Sequence, residues 1–271
     1  MPSRNKDGKI NRDMYLAMEI EVESGNSIHS GGAASTIMEE ELGVCVHDGS
    51  LDRETGFEIK TVPQVGGISH ERISRICEIL AQNKIHATAR CGVHIHVSRA
   101  ALSELQISRI ARFMFKHGNA AFIELIAGRG SDNQFAPFNK SVGYMTTLQN
   151  GYNDRGEPDK RIKMRNSRNV QRVHYTAFHL GKDSTVEFRI FAGSVDLPTL
   201  KMYQEFVLAL IEYTSAGVTE CSATVSPAYT DFLKFLFDKN RTGRKQYPNL
   251  FSFLISKGMV ANPSDKQQVV V

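Results

Sequence analysis

Apolar and charged residues alternate in three short stretches of this chain, and each stretch sets its charges two residues apart. The first is Leu16-Ala17-Met18-Glu19-Ile20-Glu21-Val22-Glu23, the second Val93-His94-Ile95-His96-Val97, the third Val186-Glu187-Phe188-Arg189-Ile190. A weaker fourth is Phe57-Glu58-Ile59-Lys60. Side chains on a strand change face at every residue, so each stretch predicts a strand with one apolar face and one face of carboxylates, imidazoles or guanidinium. An ordinary half-buried strand also has a polar outer face. Three Glu in a row are different, because adjacent like charges on a bare sheet repel and need a reason to be there. Bound cations supply one.

Around these strands the pattern predicts mostly helices. Ile73, Ile76, Cys77 and Leu80 recur at helical spacing within 68–83. Ser103-Glu104-Leu105-Gln106 has the form of a capping box, and behind it Ile107, Ile110, Ala111, Met114 and Phe115 form one apolar stripe. A further helix is expected from Asn119 to Ala127, stopped by Gly128, and a long one opened by Pro198 with the stripe Leu200, Tyr203, Phe206, Val207, Leu210 and Ile211. Residues 229–239 and 249–257 predict two more. Residues 24–34, rich in Gly and Ser, read as loop, 39–46 as a short element of open type, and 173–180 with the Glu187/Arg189 strand as a hairpin.

Strands and helices mix without regular βαβ alternation, which predicts an α+β fold: a mainly antiparallel sheet with helices on one face. The expected organisation is a loose tail over 1–13 and one domain over 14–271. Within it a mobile basic loop spans about 130–172 and a helical C-terminal part about 198–260.

Composition changes this picture little. The chain has 271 residues, 41% of them apolar and 23% charged, as in a soluble globular protein. A net charge of +4 permits an anionic substrate without requiring nucleic acid. Four widely spaced cysteines without a CxxC are expected to be reduced thiols. The polar N-terminus and the lack of any long apolar run predict a cytoplasmic protein without a membrane span.

The candidate chemistry lies on the polar faces of the strands. Glu19, Glu21, Glu58 and Glu187 are hard oxygen ligands, and several of them from separate strands suit Mg²⁺ ions shared with a nucleotide's phosphates. His94 and His96 add a softer ligand or a bond to a phosphate oxygen. Arg189, two residues from Glu187, is placed to neutralise charge on a transferred phosphoryl group. There is no Walker A sequence and no G-x-G-x-x-G, so any nucleotide must be held by metal and Arg rather than by a Gly-rich loop. The His-x-His pair also permits a zinc half-site, completed by Glu187 or Glu58 in a hydrolase, although the surplus of Glu argues against it. The most basic segment, Lys160-Arg161-Ile162-Lys163-Met164-Arg165-Asn166-Ser167-Arg168 with Arg172, reads as a solvated loop or as an anion-binding flap. With only Tyr175 and Phe178 near it for stacking, nucleic acid is not expected as a partner.

The motifs taken in order, Met18-Glu19-Ile20-Glu21, Asp48-Gly49-Ser50-Leu51, Gly56-Phe57-Glu58-Ile59, Cys91–Val97 and Thr185–Ser194, resemble the amidoligases. These are a branch of the carboxylate–amine ligase superfamily that includes glutamine synthetase and γ-glutamylcysteine ligase, and the resemblance spans about residues 15–215. It implies a curved antiparallel sheet like a glutamine synthetase catalytic domain, with an ATP site on its inner face that depends on Mg²⁺ (Mn²⁺ as a substitute). It implies Glu19, Glu21, Glu58, Glu187 and His96 as metal ligands, with His94 in support. Arg189 would steady the γ-phosphate, Arg129 would join the nucleotide site, and Asp48 and Ser50 would shape the substrate end beside Glu187 and Arg189. The chain departs from the family at Ala17, before the Glu-x-Glu, and at Phe178-His179, where members tend to carry Asn.

The implied activity is ATP-dependent ligation of a small-molecule or peptide carboxylate to an amine through an acyl phosphate, with a glutamine amidotransferase as a conceivable partner supplying the amine. A zinc hydrolase built on His94 and His96, or a relative that only binds, are the alternatives. Because clustered carboxylates repel when metal-free, removing Glu187 is expected to leave the fold intact.

Overall fold

The computed structural model describes residues 13–130, 136, 176–215, 227–241 and 246–261. The expected tail, nearly all of the expected loop over 130–172 with its basic segment, and the end of the chain after Ala261 lie outside them.

Seven strands form one open sheet. They are β1 (Tyr15–Glu23), β2 (Gly43–Val46), β3 (Gly56–Thr61), β4 (Gln64–Val65), β5 (Gly92–Ser98), β6 (Phe178–His179) and β7 (Thr185–Ala192). Their order is β2-β3-β1-β5-β7-β6, with β4 pairing the start of β1, and every pairing is antiparallel. The described helices are α1 (Ser27–Glu39), α2 (His70–Gln82), α3 (Glu104–Phe115), α4 (Ala120–Ala127), α5 (Leu197–Thr214), α6 (Tyr229–Arg241) and α7 (Pro248–Ser256).

The alternation read in the sequence decides which face is covered. Leu16, Met18, Ile20 and Val22 of β1, Val93, Ile95 and Val97 of β5, and Val186 and Phe188 of β7 are buried in one core with Ile76 and Leu80 of α2, Ile110 and Met114 of α3 and Phe206 and Leu210 of α5. Burying such side chains is worth about 1.5–3 kcal/mol each, which fixes the register: a one-residue slip would turn the Glu and His positions into this core. Phe191 at the end of β7 stacks on Tyr203 of α5 at 4.4 Å between ring centroids, joining sheet to helix. The fold is therefore α+β as the pattern predicts, an antiparallel sheet with helices packed on its apolar face.

Residues 27–39 differ from expectation. The Gly- and Ser-rich stretch read as loop is largely helix α1. Asn26 caps it by accepting from the Ile28 N–H at 2.8 Å, and Ala33 and Ile37 are fully buried. Ser30 donates to Thr55 O at 2.7 Å. Burial of one face overrides the weak helix propensity of Gly31 and Gly32, a tertiary effect that local composition does not carry. The short element at 39–46 resolves into the edge strand β2, and the two-residue strand β4 follows Pro63. Of the first arm of the hairpin, only β6 is strand within the described residues.

The β5–β7 ladder contains a bulge. Val93 pairs with Phe191 and Ile95 with Phe188, so the single residue His94 stands against two, Arg189 and Ile190. Such an insertion bends the strand and re-aims side chains locally. It falls where His94 and Arg189 meet.

Candidate functional site

Cross-strand pairing builds the polar face. In the β1–β3 ladder Glu19 lies opposite Lys60 and Glu21 opposite Glu58. In the β1–β5 ladder Glu19 lies opposite His94. In the β5–β7 ladder His96 lies opposite Glu187, and in the β6–β7 ladder Glu187 lies opposite His179. Direct neighbours across an antiparallel pair have Cβ atoms about 4.5–5.5 Å apart. Residues far apart in sequence, on strands β3, β1, β5, β7 and β6, thus form one continuous row.

Within the row the His94 ring is central. Its Nδ1 lies 3.3 Å from Glu19 Oε2 and 3.6 Å from Glu187 Oε1, and its Nε2 lies 3.6 Å from Glu21 Oε1. His96 Nε2 lies 3.2 Å from Glu19 Oε2. Arg189 Nη1 donates to Glu187 Oε1 at 2.8 Å, and the Gly92 N–H donates to Glu21 Oε2 at 2.6 Å. Arg129 is aimed by Gly128, which ends α4 at φ +69° in the left-handed region glycine favours. The Arg129 guanidinium donates to Cys91 O at 2.8 Å. A Cβ on Gly92 would sit 3.2 Å from Arg129 Nη2, 3.3 Å from His94 Nε2 and 3.4 Å from Glu21 Oε2, so this glycine leaves room for three site side chains.

Burial and mutual charge pull these groups apart in acidity. Burial pushes the Glu21 carboxyl up to about 7 against the Gly92 N–H bond, with the Asp48 and Glu58 charges adding to the rise. Burial and the Glu19 charge push Glu58 up to about 6. Burial acts the same way on Glu19, but hydrogen bonds with His94 and His96 outweigh it and hold Glu19 well below the carboxylate range. Glu187 is likewise lowered, its burial outweighed by the charges of His96, Arg189 and His94. Burial pushes His94 down, helped by Arg189, which favours the neutral imidazole that a metal ligand needs.

Two triads in the row could hold a cation: Glu19, His94 and Glu187, and Glu21, Glu58 and His94, each with ligand atoms within 4.8 Å of one another. The donor sets fit. Each offers two hard carboxylates, which suit Mg²⁺ or Mn²⁺, and one softer imidazole. The buried His96 Nε2 and Glu187 Oε2 face charged groups, Glu19 Oε2 at 3.2 Å and Lys182 Nζ at 3.1 Å. His96 Nε2, like His94 Nδ1, lies within 3.8 Å of both Glu19 Oε2 and Glu187 Oε1, so the two imidazoles flank the same pair of carboxylates.

The structure thus brings together Glu19, Glu21, Glu58, Glu187, His94, His96 and Arg189, with Arg129 bordering Glu21 and His94 beside Gly92. Asp48 is half-buried at the rim, where its charge is felt by Glu21, His94 and Arg189. Ser50, exposed, meets the row only through Asp48, to which its N–H and hydroxyl donate at 2.7 and 2.5 Å. Three more basic groups reach the row, of which His179 stands at the position where the chain departs from the family. His179 Nδ1 lies 3.5 Å and Lys182 Nζ 3.1 Å from Glu187 Oε2. Lys60 Nζ lies 3.2 Å from Glu19 Oε1 and 3.0 Å from Glu58 Oε2. Lys60 was legible as two residues beyond Glu58. His179 and Lys182 required the hairpin's register.

Residues 8–211, well over half of the chain, match the family model described as Putative amidoligase enzyme. No curated protein matches the sequence. Among solved structures, the fold is similar to a glutamine synthase homolog (13% identity, 97% of this chain and 75% of that one, TM-score 0.46). It is also similar to GmaS in complex with ADP (10% identity, 94% and 71%, TM-score 0.45). A third similarity is to the complex between the prokaryotic ubiquitin-like protein Pup and its ligase PafA (9% identity, 91% and 62%, TM-score 0.39).

Proposed function

The chain belongs to the amidoligase family, and from that premise we propose that it joins a carboxylate to an amine at the expense of ATP, on the polar face of its sheet. One observation carries the reading: two carboxylate–imidazole triads share His94 on a single face, with Arg189 and Arg129 beside them. Without metal, the carboxylates Glu19, Glu21, Glu58 and Glu187 are opposed by Lys60, Lys182, Arg189 and Arg129, so divalent ions would turn the face strongly cationic. A polyphosphate is the natural ligand of such a surface.

In this reading Glu19, Glu21, Glu58, Glu187 and His96 hold Mg²⁺, or Mn²⁺ in its place. Bound there, the metal supplies neutralisation of phosphate charge. His94, neutral and common to both triads, offers its one free ring nitrogen to the metal and its N–H to a neighbouring carboxylate. Arg189, oriented by Glu187, bonds the γ-phosphate, and Arg129 bonds the nucleotide from the far side of Gly92. Asp48 and Ser50 shape the edge at which the substrates enter.

The chemistry has two steps. A substrate carboxylate oxygen attacks the γ-phosphorus and ADP leaves, giving an acyl phosphate. The amine nitrogen then attacks the acyl carbon, inorganic phosphate leaves, and the nitrogen loses a proton as the amide forms. Activation is needed because a free carboxylate is a poor electrophile. Positioning and charge stabilisation supply most of the rate. The substrates are a small-molecule or peptide carboxylate and an amine donor, and no observation on the protein calls for an amidotransferase.

Titration calorimetry of ATP with and without Mg²⁺ tests this without knowledge of the substrate. Binding that requires Mg²⁺ is expected. No binding at millimolar ATP would remove the nucleotide from the reading.

A further inference from the structure

The two lysines at the rims of the row pair with three of the four carboxylates in the triads, and on Glu19 and Glu187 they take the oxygen turned away from His94. Lys60 stands on β3 directly opposite Glu19, and its ammonium lies between Glu19 Oε1 and Glu58 Oε2 at 3.2 and 3.0 Å. Those carboxylates belong to different triads. Lys182 places its ammonium 3.1 Å from Oε2 of Glu187, whose Oε1 accepts from Arg189. Each pairing joins an exposed cation to a buried anion: side-chain exposure is 45% for Lys60 against 13% and 6% for Glu19 and Glu58, and 40% for Lys182 against 0% for Glu187.

We propose that Lys60 and Lys182 are displaceable internal counterions, which hold the carboxylates of the two triads in place before metal binds and compete with it. The inference rests on the metal-binding reading above and adds an affinity-setting role for residues outside the ligand set. Several buried carboxylates side by side need a counter-charge. A lysine is a compact charge on a flexible four-carbon stem. With its outer part already in water it can rotate away without moving the backbone. A divalent ion bound to the same carboxylates would lie a few ångströms from the ammonium, where the two cations repel. Metal entry therefore drives each lysine outward, and the free ammonium then faces whatever anion arrives with the metal. Free Mg²⁺ binds weakly by this device, and Mg²⁺ accompanied by a polyphosphate binds better.

A residue that merely supports the site would weaken metal binding when removed; a competing counterion strengthens it. Calorimetric titration of the full chain with MnCl₂ and with MgCl₂, without nucleotide, distinguishes the two for Lys60→Gln and Lys182→Gln. Each variant is expected to bind metal about 1.5-fold to fivefold more tightly, the range an ion pair at a surface allows. Each should melt at a lower temperature than wild type in EDTA, and Lys60→Arg should restore the wild-type affinity. Unchanged or weaker metal binding in both variants, with a wild type that binds, overturns the counterion role and leaves the metal reading standing. A wild type and variants all silent toward both ions overturn the two together. Lys182, in the exposed turn before β7, keeps the test open should Lys60→Gln not fold.

Discussion

Glu19 and His94 face each other across the β1–β5 ladder, with Glu19 Oε2 3.3 Å from His94 Nδ1. The contact ties the triad of Glu19 and Glu187 to that of Glu21 and Glu58, because His94 is common to both. A change at His94 therefore reaches the whole row, while a change at one carboxylate reaches one side of it.

Ion stoichiometry follows from this sharing. His94→Ala is expected to weaken both cation positions by tenfold or more, in the ~10–100-fold range seen when a metal's ligand support is lost. Glu58→Gln should weaken one and spare the other. Manganese binding isotherms resolve the two patterns, and equal losses in both variants would contradict the shared imidazole.

Glu187 is completely buried and ion-paired to Arg189 and Lys182. The carboxylate is held by these cations, so its removal is expected to cost stability even if the fold survives. Glu187→Gln should abolish Mg²⁺-dependent ATP binding and also cost about 2 kcal/mol or more of metal-free stability, because Arg189 loses its buried partner. Calorimetry and thermal melts in EDTA check the two effects separately.

Stability should depend on pH in a way that metal reverses. The folded protein raises the Glu21 and Glu58 carboxyls to about 7 and about 6 from 4.5. A carboxyl raised on folding binds its proton more tightly in the native state, so its contribution is complete below pH 4.5 and is lost as pH rises through 6 and 7. His94, lowered from 6.5, acts in the opposite direction and adds stability as pH rises to 6.5, so in EDTA the melting temperature should fall chiefly between pH 6.5 and 8, where Glu21 still titrates and His94 no longer does. Glu21 and Glu58 are candidate metal ligands, so saturating Mg²⁺ should flatten or invert the slope. A melting temperature independent of pH between 5 and 8 in EDTA would contradict it.

Gly92→Ala introduces a Cβ at 3.2–3.4 Å from Arg129, His94 and Glu21. These are ends of side chains, so the fold should adjust at a cost of about 1 kcal/mol. The site should not adjust as easily, because displacing aligned groups by a fraction of an ångström costs affinity and rate. ATP–Mg²⁺ affinity is expected to fall several-fold with a melting temperature near wild type.

The strands that carry the site were legible because the alternation of Glu19, Glu21, His94, His96 and Glu187 with apolar residues allows one orientation only. Burial of Met18, Ile20, Val93, Ile95 and Phe188 leaves those polar side chains on the opposite face. Helices α2, α3 and α5 were legible for the same reason, as long amphipathic periods with capping residues at their starts. Helix α1 was not, since Gly31 and Gly32 suit a loop and only packing of Ala33 and Ile37 against the sheet makes the segment helical.

By itself, then, the sequence determined which residues share a face within each strand, since two-residue periodicity is a local property of extended backbone. The tertiary structure decided which strands are neighbours and in what register. That placed Glu21 opposite Glu58, His96 opposite Glu187 and Lys60 opposite Glu19. It also set the bulge that brings Arg189 and Ile190 against His94, and the turn that carries Lys182 onto Glu187. Those relationships depend on pairings between distant segments, and it is burial of the common core that selects them.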